Sequence, residues 1–193
     1  PIVPELVDRT WPALRFVFPH APVRPVTINN GMRMRAWYDI LGPQIAAQQD
    51  VAGIRMSIGE VDALIAREAE RGVPSENVIL AGFSQGGAIV LAGGVRYAKK
   101  LAGIIALSTY LPMDGLTADE KSAANAGLPI FMAHGSYDNV VPQRLGELSR
   151  DALTTLGYAV EWHSYPMAHQ VCPPEISDLR AWIGKRLTVS TVG

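Results

Sequence analysis

The chain has 193 residues, 48% of them hydrophobic and 18% charged, with 17 Lys and Arg against 18 Asp and Glu for a net charge of −1. That makeup supports one domain over residues 1–193 with a sizeable core, and the balanced charge gives no electrostatic reason to bind nucleic acid or an anionic membrane. One cysteine, Cys172, rules out an internal disulfide; no cluster has metal-ligand spacing, and no apolar run is long enough for stable membrane insertion.

In chain order, residues 14–18 (Leu-Arg-Phe-Val-Phe) predict a strand stopped by Pro19. Residues 19–45 are proline-rich and read as irregular, with Asn29-Asn30-Gly31 as a turn signal. Val51, Ile54, Ile58, Val61, Leu64 and Ile65 recur at helical spacing, and Gly72 and Pro74 end that helix. Residues 78–81 predict a strand and 88–92 a helix, with Gly82-Phe83-Ser84-Gln85-Gly86-Gly87 between them. Strands follow at 103–107 and 130–133, then a helix at 145–156 with Gly157 as its stop. A strand at 159–165 and a helix from about 174 to 187 close the pattern, leaving 188–193 as a frayed tail. Strands alternating with helices predict a mostly parallel sheet covered on both faces.

The G-x-S-x-G stretch carries the most chemistry. Its setting, an apolar strand before and a helix behind, predicts a sharp turn that exposes the Ser84 hydroxyl at the end of a sheet. Glycines at 82 and 86 suit such a turn because any side chain there would crowd it. The helix starting behind the serine favours negative charge beside it. A serine hydroxyl needs a base, and the base an orienting acid, which in this architecture follow in the order acid, then histidine. His169 lies in the irregular segment after the 159–165 strand, where a loop can lean over the serine. His134 precedes the best acid, and His163 reads as a solvent-facing strand residue. Asp138 follows the 130–133 strand and is the favoured acid, with Asp114 in reserve; each also fits a turn-forming Asp.

These motifs, together with Pro19-His20-Ala21-Pro22, Trp37-Tyr38-Asp39, residues 106–112, His134-Gly135 with 138–142, and Tyr165-Pro166-Met167-Ala168-His169, resemble the carboxylesterase and acyl-protein thioesterase (lysophospholipase-like) family over essentially the whole chain. The resemblance implies an α/β-hydrolase fold with Ser84 as nucleophile, Asp138 as acid and His169 as base. It also implies cleavage of small-molecule esters or thioesters without a cofactor, and it allows a homodimer. The Gln85 amide is the expected oxyanion donor. By the resemblance, Trp37, Tyr38, Ile40, Leu41, Leu111 and Val140 are expected to line an acyl groove, although Trp37 and Tyr38 fit at least as well as residues pinning their loop to the core. Met32 and Met34 read as loop packing, Arg24, Arg33 and Arg35 as a solvated basic face, and Cys172 as a loop filler.

One departure stands out. The family's opening strand and His-Gly-Leu-Gly-like turn have no counterpart here, and residues 1–7 resemble the helix that follows that turn. The expectation is a chain lacking its start, with a rebuilt region as the alternative. Two strands would then lack a neighbour and one oxyanion donor would be absent, a loss of about 10²–10³ in rate. Three functions follow: an esterase for small to medium acyl esters, a thioesterase or lysophospholipase for long acyl chains, or a catalytically impaired chain that only binds. The default location is cytoplasmic, with any leader undetermined.

Overall fold

A computed structural model describes residues 2–187. A one-turn helix, α1 (Val3–Leu6), is followed by an antiparallel hairpin of β1 (Val23–Val26) and β2 (Met32–Arg35). The hairpin turns through Asn30 and Gly31, both at positive φ (55° and 74°), as the Asn-Asn-Gly signal requires. Helix α2 (Val51–Glu70) starts at Asp50, whose carboxylate accepts the Gly53 amide hydrogen bond at 2.9 Å. Then come β3 (Ile79–Phe83), α3 (Gln85–Gly94), β4 (Gly103–Leu107), α4 (Asp114–Glu120), β5 (Pro129–Gly135), α5 (Gln143–Thr155), β6 (Ala159–Tyr165) and α6 (Pro173–Leu187).

Strands β3 to β6 form one parallel sheet in sequential order, with Phe83 level with Leu107, Leu107 with Ala133, and Gly135 with Tyr165. Alternation along the central strands divides the core. Ile104, Ala106, Ile130 and Met132 face one layer with Ile65 of α2, Val90 and Leu91 of α3 and Leu153 of α5. Ile105, Leu107, Phe131 and Ala133 face the other, against Leu179, Trp182 and Ile183 of α6 and, at its margin, Leu6 of α1. A parallel sheet buried on both faces tolerates the near-continuous apolar runs seen in β4 and β5. It also brings the carboxyl ends of β3, β5 and β6 to one rim.

Several expectations need correction. Residues 14–18 form no strand; no described strand lies beside them to complete a ladder, and Phe16, Val17 and Phe18 are exposed. Residues 19–45 are not wholly irregular, because the β1–β2 hairpin lies within them. Met32 and Met34 do not fill gaps; both point out from that hairpin at 63% and 37% exposure. Arg33 and Arg35 donate to backbone carbonyls, but Arg24 is largely covered and lies 3.8 Å from Asp50, so the basic cluster is only partly a solvated face. His163 is half-buried, stacked on Phe131 and Tyr165 and hydrogen-bonded to Glu161 at 3.0 Å. The expected tail at 188–193 lies outside the described residues.

The second core layer contains a buried acid. Glu175, in the first turn of α6, is fully buried with neither carboxylate oxygen hydrogen-bonded among the described residues. Burial pushes its pKa up from 4.5 to about 7, opposed by the nearby Cys172 amide and His163. Below pH 4.5 the carboxyl is protonated whether the chain is folded or not. Between 4.5 and about 7 the unfolded chain ionises first, so stability falls as pH rises, by about 3 kcal/mol at most. Glu175→Gln removes this titration, so its thermal midpoint at pH 8 should exceed that of the parent. At pH 5 the two should lie close together; an unchanged gap between the two pH values would show that Glu175 ionises normally.

Candidate active site

Ser84 sits between the end of β3 and the start of α3 at φ 53°, ψ −121°, a conformation costly for a residue with a side chain. Neighbours hold it there. Its amide donates to the Leu107 carbonyl at 2.8 Å, and the Thr109 hydroxyl donates to its carbonyl at 2.7 Å. Gly82 lets the turn close: a Cβ there would lie 2.3 Å from the Gly86 carbonyl carbon. Because α3 begins at Gln85, the amides of its first turn, just behind Ser84, have no intrahelical partner.

Asp138 is placed by the turn after β5. Its Oδ1 accepts the amide hydrogens of Val140 (2.9 Å) and Val141 (2.8 Å), which fixes the carboxylate plane. The turn-forming role and the acidic role are therefore not rivals: Oδ1 makes the turn and leaves Oδ2 free. His169 stands on the loop after β6, with Nδ1 2.6 Å from Asp138 Oδ2 and Nε2 2.9 Å from Ser84 Oγ. The ionised carboxylate can only accept, so Nδ1 carries the hydrogen and Nε2 is free to accept from the serine hydroxyl. The loop rests closely on the end of β5. The Ser136 amide donates to the Tyr165 carbonyl and the Tyr137 amide to that of Met167, and a Cβ on Gly135 would lie 2.3 Å from the Met167 oxygen. The imidazole also packs on Phe83, with ring centres 4.7 Å apart.

The structure thus brings Ser84, Asp138 and His169 together and leaves the reserve acid out: Asp114 is exposed at the start of α4. The Gln85 side chain has a task the sequence did not signal. Its Oε1 accepts the Trp37 amide hydrogen (2.7 Å) and its Nε2 donates to the Tyr38 carbonyl (2.8 Å), tying the 37–41 loop to the serine turn.

Beside Ser84 is a cavity of about 80 Å³. Ile40 and Val140 are among its lining residues. Leu41 and Leu111 are not: Leu41 is 41% exposed, while Leu111 is 3% exposed because its side chain enters the core and its amide donates to Ser149. Tyr38, Asp39, Ile45, Gln48, Tyr110 and Val141 complete the lining. Tyr110 follows β4 at the same rim, so strand-end logic reaches it. Ile45 and Gln48 depend on how their loop folds, which includes the Tyr110 hydroxyl donating to the Ile45 carbonyl at 3.1 Å. Cys172 is partly buried against the second core layer.

A parallel sheet with helices on both faces, and a serine turn, an acid turn and a histidine loop on one rim, place the chain among the α/β hydrolases. Residues 7–187 match the model of the Phospholipase/Carboxylesterase family, and the chain belongs to that family of hydrolases. It is 39% identical over 178 residues to acyl-protein thioesterase 1 of Yarrowia lipolytica, covering 90% of this chain and 78% of that one. The corresponding figures for acyl-protein thioesterase 1 of Neurospora crassa are 41% over 182 residues, 90% and 74%. Among solved structures, Arabidopsis thaliana SOBER1 superposes with a TM-score of 0.83 at 32% identity, covering 89% of this chain and 83% of that one. Zea mays acyl-protein thioesterase 2 superposes with a TM-score of 0.77 at 28% identity, covering 88% and 80%. The chain is accordingly an enzyme of carboxylesterase or thioesterase type. No described helix is long and apolar enough to cross a membrane.

Proposed function

We propose that this chain is a serine hydrolase that transfers the acyl group of an ester or thioester to water, with Ser84, His169 and Asp138 as its catalytic triad. The observation that carries the reading is the relay itself, 2.9 Å from Ser84 to His169 and 2.6 Å onward to Asp138. His169 Nε2 takes the hydroxyl proton as Oγ bonds to the acyl carbon, and the carbonyl π electrons move onto oxygen. Asp138 holds the imidazole tautomer and offsets its positive charge. The Gln85 amide donates to the oxyanion. On collapse the bond to the leaving oxygen or sulfur breaks, and His169 returns its proton to that atom. Water then repeats the cycle on the acyl-enzyme and releases the acid.

For substrate, the reading is an acyl-thioesterase that also cleaves oxyesters, supported by the relatives named above and by the apolar side chains of Ile40, Ile45, Val140 and Val141 beside the serine. The small-ester reading keeps one specific support, the polar residues Asp39 and Gln48 among those lining the same cavity. A series of thioesters and p-nitrophenyl esters of increasing acyl length separates them. A fitting apolar groove should reward each added CH₂ by up to about 0.8 kcal/mol in kcat/KM until it is full. A profile that is highest at acetyl and falls thereafter would overturn the long-chain reading. The same proposal includes a cytoplasmic setting, which suits an unpaired Cys172, and a homodimer, which sedimentation of the purified chain tests.

A further inference from the structure

His134 is a histidine that the proposed relay does not use, yet it lies directly beneath it. It occupies the end of β5, is 1% exposed, and stacks on Trp162 with ring centres 6.2 Å apart. Its Nε2 is 2.8 Å from the Val141 carbonyl and 3.5 Å from Asp138 Oδ2, the oxygen that meets His169. A carbonyl can only accept, so Nε2 carries hydrogen. Burial lowers the pKa of the imidazole, outweighing the Val141 bond and the facing charges of Asp138 and Glu147, with His169 acting in the same direction as burial. That shift favours the neutral ring, which donates through Nε2.

The Val141 peptide is consequently gripped at both ends. Its amide donates to Asp138 Oδ1 at 2.8 Å, while its carbonyl accepts from His134 at 2.8 Å. Releasing the carbonyl would free the segment that fixes the carboxylate plane. It would also strand a buried acceptor, which costs roughly 1–3 kcal/mol. Val140 and Val141 line the cavity as well, so one turn serves both the acid and the substrate wall.

We propose that His134 is a positioning residue for Asp138: its Nε2–H clamps the 138–141 turn and sets the hydrogen bond between Asp138 and His169. The proposal rests on the triad reading above. It also accounts for a histidine that fits no place in the order of nucleophile, acid and base.

The test compares two side chains at one position. His134→Phe keeps a ring against Trp162 but deletes the donor, whereas His134→Gln places an amide N–H near the position of Nε2. The Phe variant should lose roughly 10²-fold in kcat, the scale of an ångström-level misplacement, while KM changes by less than about threefold. Proton NMR should show the downfield resonance of the His169–Asp138 hydrogen bond lost or broadened in that variant. His134→Gln should regain most of the rate and the resonance. A folded Phe variant with parental kcat and an intact resonance would overturn the proposal. If the Phe variant does not fold, His134→Asn, whose amide falls short of the Val141 carbonyl, must show the same losses; parental behaviour there overturns it equally. Ser84→Ala run in parallel separates the two levels: if that variant still turns over, the triad reading has failed, whatever His134 does.

Discussion

Ser84→Ala is expected to lower ester and thioester turnover by roughly 10⁶-fold, the scale on which removing the nucleophile of a serine triad acts. The substitution removes one oxygen and keeps Cβ, so the backbone bonds that hold the turn remain: the amide to Leu107 and the carbonyl to Thr109. The thermal midpoint should therefore stay close to that of the parent, which separates lost chemistry from lost folding. Covalent labelling by a fluorophosphonate should vanish with the activity, because it needs the same Oγ. Any residual rate would come from binding and from the donors behind Ser84. Labelling that persists, with the adduct mapped elsewhere, would move the nucleophile to another residue.

Asp138→Asn is the second large effect, about 10⁴-fold in kcat, and the geometry explains why so similar a side chain should fail. Two backbone amides, from Val140 and Val141, point at Oδ1. An asparagine must turn its oxygen toward them, since its NH₂ group cannot accept. The NH₂ then faces His169 Nδ1 in place of Oδ2. Two donors cannot share that 2.6 Å contact, so the imidazole shifts its hydrogen to Nε2 and presents it to Ser84. A base that already carries its proton cannot accept the serine's. The loss should fall on kcat, with KM little changed, and the turn should survive because both of its backbone bonds survive. A variant that retained most of its kcat would show that His169 keeps its tautomer without Asp138.

Much of this site was legible in the order of residues. Strand, Gly82-Phe83-Ser84-Gln85-Gly86 and helix form a local unit whose steric demands are written in neighbouring positions, so the serine turn could be placed from sequence. The same holds for β4 and β5, apolar runs of strand length between turn signals, and for β6, where polar and apolar residues alternate. Asp138 and His169 were legible because each follows such a strand, and strands of one parallel sheet end at one rim. Leu111 was misjudged by that logic: lying near the rim in sequence does not say whether a side chain turns toward the cavity or the core. The strand predicted for residues 14–18 failed for a related reason. A β-prone run becomes a strand only when another strand offers its edge, and composition is silent on that.

The sheet, the serine turn and the loops that carry Asp138 and His169 could be read from residue order, because each depends on contacts between near neighbours or on the direction of a strand. That Gln85 clamps the 37–41 loop, that His134 bonds to the turn of Asp138, and that Ile45 and Gln48 reach the cavity is visible only in the folded chain. Those contacts join segments far apart along the chain, and their geometry exists only once the sheet has set the distances between them.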